Sequence, residues 1–149
     1  MTKSMIDRVV VLAMIATALV GVYYMNKAYQ SALGREALEN NGLTSFPLAV
    51  AENKARNLSR QVLVEVGAIW CPTCRTLDQY VLSDPEVHQL LNKKYLFSRL
   101  EYDSPEASAF LADQNASGYQ SLWIVDGNGK VVRRLPFVLS PERFLAEMP

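Results

Sequence analysis

Both cysteines of the chain lie in one short segment, Trp70-Cys71-Pro72-Thr73-Cys74-Arg75. This spacing places the second sulfur one helical turn beyond the first, close enough for thiol–disulfide exchange. A bond between Cys71 and Cys74 would close a loop of only about four residues, so it would constrain the unfolded chain very little. Such a bond is more typical of one that is made and broken during function. The segment therefore predicts a dithiol/disulfide redox site with a Cys71–Cys74 disulfide in its oxidised form.

Three other interpretations of the cysteine pair stay open. A zinc site needs four ligands, and the only histidine, His88, lies in a different predicted element, so a site would have to be shared between two chains. A second interpretation is that the two thiols are buried and inert, because free cysteine often behaves as a small hydrophobic residue. The third interpretation is an interaction domain whose redox site has lost activity. We predict neither a metal nor a cofactor.

Composition excludes several functional classes. Lys and Arg total 15, as do Asp and Glu, so no basic excess points to nucleic acid. No glycine-rich phosphate loop is visible, and no second histidine supports a hydrolase built on Ser or Cys. The 149 residues are enough for one domain with an appendage.

That appendage is an apolar segment near the amino terminus. Val9 to Met25 contains no charged residue, and its 17 residues span roughly 25 Å as a helix, the short end for crossing a bilayer. Tyr23-Tyr24 suit a membrane interface. A cleaved signal peptide with its site at Ala16-Thr17-Ala18 is the alternative, but cleavage there would leave an apolar mature terminus. We therefore expect residues 1–25 to be a retained anchor.

The charges that flank the anchor predict its orientation. Lys3, Arg8 and the amino terminus stand on one side, against Lys27 and Arg35 on the other. This balance favours an amino terminus in the cytoplasm. In a bacterium the chain would then be a single-pass protein of the inner membrane, with its carboxy-terminal domain in the periplasm.

The rest of the chain predicts an α/β domain. Residues 26–45 read as a linker or helical spacer ended by Asn40-Asn41-Gly42, and residues 46–149 as the domain. Valine-rich and alternating segments predict strands, capping residues followed by proline predict helices, and Asp126-Gly127-Asn128-Gly129 predicts a hairpin. A mixed sheet covered by helices on both faces follows from this order. In order, the predicted elements are a helix at 47–57, a strand at 61–68, helices from 71 towards 81 and from 83, a strand at 95–102, a helix from 104 to about 115, strands at 122–125 and 130–135, and a helix from 140.

This order, with the CxxC at a strand-to-helix turn, resembles the thioredoxin-like fold. It is similar in particular to the C-terminal periplasmic domain of the transmembrane thiol:disulfide interchange reductase and to single-domain relatives. Three blocks carry the resemblance, which covers roughly residues 47–148: Gly67-Ala68-Ile69-Trp70-Cys71-Pro72-Thr73-Cys74, Leu82-Ser83-Asp84-Pro85-Glu86-Val87 and Asp126-Gly127-Asn128-Gly129-Lys130.

The resemblance implies roles for individual residues. Cys71 matches the exposed nucleophile of the family, and Cys74 matches its buried resolving thiol. Glu65 matches the buried acid that exchanges protons with the second cysteine, and Trp70 matches the ring that flanks the active site. Arg99 falls where thioredoxins often carry a lysine near that acid, which is a weaker match.

General chemistry points the same way for two of these residues. A cysteine at a helix N-terminus meets free N–H groups and a positive dipole end, which favour the Cys71 thiolate. Glu65 interrupts an apolar strand, and an interior position would raise its pKa and make it a proton acceptor near neutrality. The alternative, a Glu65 side chain on a solvent-exposed face of the sheet, stays open here. Pro72 suits the first helical position, and Thr73 adds no positive charge between the cysteines.

One run departs from the pattern that the resemblance implies. The family has a cis-proline opposite the CxxC, whereas this chain has Gly118-Tyr119-Gln120-Ser121-Leu122, with Gln120 in that place. A cis bond before a residue other than proline costs about 2.5–4 kcal/mol, so we expect a trans bond and a reshaped backbone edge.

Together these observations predict a membrane-anchored periplasmic thiol:disulfide oxidoreductase that acts as a reductase. Its partners would be protein thiols and disulfides, and a membrane or periplasmic electron donor. The alternative, favoured by Gln120, is a non-enzymatic thioredoxin-like accessory subunit of a membrane complex.

Overall fold

The computed structural model describes residues 3–149 of the chain, with side chains from Met5 onward. The first two residues of the predicted anchor, and the Lys3 side chain used in the charge argument, lie outside the described residues.

The first element is one continuous helix, α1 (Lys3–Asn40). The residues of its apolar stretch, Val9–Met25, are all exposed. The helix is long and apolar enough in this part to cross a membrane. The helix does not end at Met25. The residues predicted as a linker or helical spacer continue the same helix as far as Asn40. Gly42, with φ of +76°, then turns the chain away.

A four-stranded mixed sheet follows α1, with strand order β2-β1-β3-β4. Strands β1 and β2 are parallel, whereas β3 pairs antiparallel with both β1 and β4. The bounds of the elements are α2 (Leu48–Leu58), β1 (Gln61–Gly67), α3 (Pro72–Leu77), a π-helical turn (Asp78–Leu82), α4 (Pro85–Lys94), β2 (Tyr95–Glu101), α5 (Pro105–Asp113), β3 (Ser121–Val125), β4 (Val131–Leu135) and α6 (Pro141–Glu147). The predicted order of elements is confirmed, with most bounds shifted by one or two residues.

The last four helices begin in the same way. Each has a proline at its first position, where a missing N–H is harmless, and a capping side chain just before it. The caps of α3, α4, α5 and α6 are Cys71, Asp84, Ser104 and Ser140. Three of these caps are ordinary oxygen acceptors, whereas the cap of α3 is a sulfur.

Apolar side chains cover both faces of the sheet. One cluster joins α3, α4 and α6 to the face that carries Leu63 and Ile124, and the other joins α2 and α5 to the face that carries Val64 and Trp123. Glu65 alternates with Val64, so it lies on the α3 side of the sheet, directly beneath the cysteine helix.

The carboxy-terminal part of α1 packs against this domain. A side chain at Gly34 would collide with the main-chain oxygen of Ile69, so only glycine permits the close approach seen there. Ala37 is buried at the same contact. Gln30 accepts a hydrogen bond from Arg75 at 2.8 Å, and Asn41, just beyond the helix, donates one to Asp78 at 2.9 Å. The helix is therefore docked on the domain.

We predict that Gly34→Leu detaches the docked part of α1, because the added side chain overlaps backbone that cannot move aside. The loss should be about 1–3 kcal/mol, as for other overpacked sites. Amide hydrogen exchange of the full chain in detergent should show faster exchange at residues 27–41. Gly21→Leu is the control, since nothing lies within 4 Å of that position. Equal exchange in the two variants would contradict this packing.

Candidate functional site

The two cysteines meet at the start of α3. Cys71 is the N-cap residue, and its Sγ accepts a hydrogen bond from the backbone N–H of Cys74 at 3.1 Å. The two sulfurs are not joined by a disulfide in this structure. The sulfur of Cys71 takes the place of the oxygen that caps the other helices, and a thiolate there would be stabilised by the same N–H group.

The expected exposure of Cys71 is wrong. The residue is only 3% exposed, and Cys74 is fully buried. Cys71 packs with Ala68 and Cys74, and the side-chain amide of Gln120 lies over it, with Nε2 donating to Sγ at 3.3 Å. Sequence reasoning placed Gln120 opposite the cysteines, but it did not foresee that this side chain covers Cys71.

Gln120 is held by its backbone. No cis peptide bond occurs in residues 3–149, as expected for a residue other than proline at this place. Gln120 adopts φ of +65°, in the left-handed region, and its N–H donates to the oxygen of Val66 at 2.9 Å. A proline lacks this N–H, so the exchange of proline for glutamine adds a bond between β1 and the segment before β3.

Aromatic rings flank the cysteines. Tyr119 makes edge-to-face contacts with Trp70, at 5.1 Å between ring centroids, and with Tyr102, at 5.2 Å. The indole N–H of Trp70 donates to Asp103 at 2.9 Å, which helps to hold the pKa of that carboxyl below its usual value. Pro72 is exposed and Thr73 is half-buried beside them. Of the predicted supporting residues, five thus surround Cys71 (Trp70, Pro72, Thr73, Tyr119 and Gln120), whereas Arg99 is buried beside Glu65.

Glu65 faces the interior, so the solvent-facing alternative is excluded. The residue is fully buried, and burial raises the pKa of its carboxyl to about 7 even though Arg99 opposes the rise. Its Oε1 accepts a bond from Arg99 at 2.9 Å. Its Oε2 has no hydrogen-bond partner within the described part of the chain. One oxygen is therefore fixed by the guanidinium, and the other is free to take a proton.

Arg99 joins three carboxylates. Its side chain is 4% exposed and contacts Glu65 at 2.9 Å, Asp78 at 3.1 Å and Glu101 at 2.9 Å. Burial opposes the charge on Arg99, but the carboxylates outweigh it and raise the pKa of the guanidinium. Burial also raises the pKa of Asp78. The positive charge of Arg99 opposes this rise, but it is shared among three buried or half-buried carboxylates and does not cancel it. The cluster therefore favours a retained proton on Glu65 near neutrality.

Cys74 lies beside this cluster. Burial and the hydrogen bond with Cys71 raise the pKa of the Cys74 thiol, and the negative charge of Glu65 adds to the rise. Cys74 therefore needs a base to become a nucleophile. Glu65 is a buried acid close enough to influence its ionisation.

Sequence reasoning missed three members of this site. Asp78 follows α3 and is 1% exposed, and no sequence motif singled it out. Glu101 ends β2 and also accepts a hydrogen bond from the N–H of Ile69 at 2.9 Å. Asn41 was assigned only as part of a helix stop. Asp78 lies four residues after Cys74, on the same helical face, and this spacing was the available signal.

His88 lies outside this arrangement. It is half-buried on α4 and contacts the main-chain oxygen of Asn41, as expected for a structural side chain. Within residues 3–149, no group of three or more His, Cys, Asp or Glu side chains is placed to hold a metal ion.

A family model and two sequence relatives all relate this chain to thioredoxin-like proteins. The model of a family described as thioredoxin-like matches residues 43–127. A thiol:disulfide interchange protein DsbD of Tatumella citrea is 26% identical over 89 residues, which are 58% of this chain and 15% of that protein. A protein of the same name from Haemophilus ducreyi is 28% identical over 90 residues, 58% of this chain and 16% of that protein. The chain thus spans only a small part of these relatives.

Solved structures show the same fold. A thioredoxin from Thermus thermophilus superposes with a TM-score of 0.63 at 28% identity, over 70% of this chain and 83% of that one. The oxidised DsbD C-terminal domain of Neisseria meningitidis superposes with a TM-score of 0.56 at 23% identity, over 69% of this chain and 95% of that domain.

We predict that Glu65 makes the stability of the protein depend on pH. Its folded pKa of about 7 lies above the ordinary value of 4.5, so the folded state keeps a proton that the unfolded state loses between these values. The free energy of unfolding should therefore fall as pH rises from about 4.5 to 7, by up to about 3 kcal/mol from this group. Urea unfolding of the full chain at pH 5 and pH 8 measures it. Glu65→Gln should reduce the difference in unfolding free energy between the two pH values. Glu39→Gln, at an exposed site, is the control and should leave that difference unchanged. The same pH dependence in Glu65→Gln and in the unchanged protein would refute the assignment.

A second prediction concerns the amide over Cys71. Gln120→Glu keeps the size and shape of the side chain but replaces a donor with a negative charge near Sγ. The added charge should repel the negative charge on the reacting sulfur, so alkylation of Cys71 at pH 7 should slow at least about tenfold. Gln120→Met, which has neither donor nor charge, should give an intermediate rate. An unchanged rate in Gln120→Glu would show that the amide does not act on the sulfur.

Proposed function

The chain belongs to the thioredoxin-like family, and we propose that it is a membrane-anchored thiol:disulfide oxidoreductase that uses Cys71 and Cys74. The observation that carries the proposal is the pair of free thiols at the mouth of α3, with a buried acid of raised pKa behind them. DsbD proteins are named as thiol:disulfide interchange proteins, and their similarity to this chain supports the same class of reaction.

The proposal divides the chain into three parts. Residues 1–25 are the membrane anchor, 26–45 the spacer, and 46–149 the thioredoxin-like domain. The exposed apolar stretch of α1 supports an anchor, since a contiguous apolar surface of this size is unstable in water. The flanking charges support an amino terminus in the cytoplasm and a domain in the bacterial periplasm.

In the first step, the Cys71 thiolate attacks one sulfur of a substrate disulfide. The substrate bond breaks, a mixed disulfide forms with Cys71, and the other substrate sulfur leaves as a thiolate. In the resting site the N–H of Cys74 and the amide of Gln120 both donate to the Cys71 sulfur, and the N–H of Cys74 stays in place during the attack. Because Cys71 is nearly covered, the half-exposed side chain of Gln120 must swing aside to admit the substrate.

In the second step, Cys74 resolves the mixed disulfide. The Oε2 atom of ionised Glu65 accepts the thiol proton, and the Cys74 thiolate attacks Cys71. The second substrate sulfur leaves, and the Cys71–Cys74 disulfide forms. Two electrons have then passed to the substrate, and a membrane or periplasmic electron donor restores the dithiol. The Pro72-Thr73 dipeptide, which adds no charge between the cysteines, supports the reducing direction.

A second function is favoured by one observation, the burial of Cys71 beneath Gln120. Under this alternative the chain is a non-enzymatic accessory subunit of a membrane complex, and the thiols stay idle. Purification in mild detergent separates the two proposals. A stoichiometric complex that assembles equally well with Cys71→Ser and Cys74→Ser, from a chain without reductase activity, would support the subunit.

The enzymatic proposal predicts loss of activity on removal of one sulfur atom. Reduction of insulin by the full chain in detergent, with dithiothreitol as electron source, should fall to the rate without protein in Cys71→Ser. The control Thr73→Ser changes the residue between the cysteines and should stay within about twofold, because its side chain takes no part in exchange. Equal rates in Cys71→Ser and the unchanged protein would remove the enzymatic proposal.

A further inference from the structure

The contacts along α1 have an order that fixes which end of the domain lies nearest the apolar stretch. Starting from Met25, Lys27 contacts Asp103 at 3.3 Å and lies over the ring of Trp70, 5.2 Å from its centroid. Gln30 then bonds Arg75, and Gly34 meets Ile69. Farther along, Asn41 reaches Asp78 at the end of the docked segment. The edge of the domain that carries the cysteine motif therefore faces the apolar stretch.

The height of this edge follows from helix geometry. Lys27, Gln30 and Gly34 lie about 3, 8 and 14 Å beyond Met25 along the axis, at a rise of about 1.5 Å per residue. The headgroup layer of a bilayer is roughly 5–8 Å thick on each side. If the apolar stretch spans the hydrocarbon core, Trp70 lies within the headgroup layer and the start of α3 lies at or just above it.

The side chains near this edge suit such a position. A groove of about 280 Å³ opens between α1 and the cysteine motif, lined in part by Tyr23, Lys27, Trp70 and Pro72. Tyr and Trp with a neighbouring Lys are characteristic of the membrane–water interface. The groove connects the membrane end of α1 with the residue that follows Cys71.

The docking also restricts movement. A flexible tether would let a domain sample a wide volume, whereas a continuous helix fixed by Gly34, Ala37 and Asn41 holds the domain at one height and in one orientation. A soluble protein would have to bring its disulfide into the narrow space between the domain and the bilayer. A disulfide carried at the membrane surface is already in that space.

From these contacts we infer that α1 is a rigid strut that holds Cys71 at the bilayer surface, so that its substrates are disulfides carried at that surface. The inference rests on the proposed function, because it takes α1 as a membrane span and Cys71 as the nucleophile.

A membrane-borne disulfide tests the geometry directly. The full chain is placed in lipid nanodiscs that contain phosphatidylethanolamine with a pyridyldithiopropionyl group on its amine. Cys71 attacks the lipid-side sulfur and releases pyridine-2-thione, and Cys74 then displaces the lipid thiol, so that one dithiol becomes one disulfide and two thiols are released. The absorbance of the thione gives the rate. The same pyridyldithiopropionyl group on free ethanolamine is the soluble probe.

A variant that holds the domain farther from the bilayer tests whether the position of the site matters. Two heptads of an alanine-rich helix inserted between Met25 and Asn26 lift the domain by about 21 Å and turn it by only about 40°. The rate with the lipid probe should then fall at least about tenfold, because the site leaves the reach of the headgroup. The rate with the soluble probe should stay within about twofold, which also shows that the variant is folded. The same heptads added after Pro149 are the control and should change neither rate.

The outcomes separate this inference from the proposed function. A lipid-probe rate that the insertion leaves unchanged overturns the strut while the thiol chemistry stands. A soluble-probe rate no higher than that of Cys71→Ser overturns the proposed function, and the inference falls with it.

Discussion

The buried guanidinium of Arg99 is the interaction on which the rest of the site depends. It bonds Glu65 of β1, Asp78 of the π-helical turn and Glu101 of β2, so it joins the two parallel strands to the segment that follows the cysteine helix. Asp78 in turn accepts a bond from Asn41 at the end of α1. A buried ion cluster of this kind contributes little net stability, but removal of one member leaves an uncompensated charge and is severe. The cluster therefore fixes positions more than it adds free energy.

The same cluster prepares the proton chemistry. One cation shared among three carboxylates leaves a buried acid that ionises near neutrality, and this acid lies beneath a thiol whose pKa is raised by burial. The first thiol meets the opposite environment, with an N–H and an amide directed at its sulfur. Two cysteines one helical turn apart are thus placed in different environments, which suits successive attack and resolution.

Some features of the fold and of the site could be predicted from the sequence, and others could not. A charged residue inside a valine-rich strand, Glu65, pointed to a buried acid, and the proline-started helices were found because capping is local chemistry. The mixed sheet was likewise predictable from the order of the elements along the chain. The cover over Cys71 was not predictable, because it depends on a left-handed backbone conformation at Gln120 and a bond to Val66, which only the folded chain brings together. The roles of Asp78 and Asn41 were missed for the same reason, since their partners lie 21 and 37 residues away.

The proposed chemistry requires that Cys71 and Cys74 form a reversible couple. Equilibration of the full chain in detergent with mixtures of reduced and oxidised dithiothreitol, followed by alkylation and mass measurement, tests this requirement directly. We expect one transition from two alkylated thiols to none, with the oxidised protein lighter by two hydrogen atoms and its bond located between Cys71 and Cys74. Two thiols that remain open to alkylation in unfolding conditions across the whole range of mixtures would contradict it.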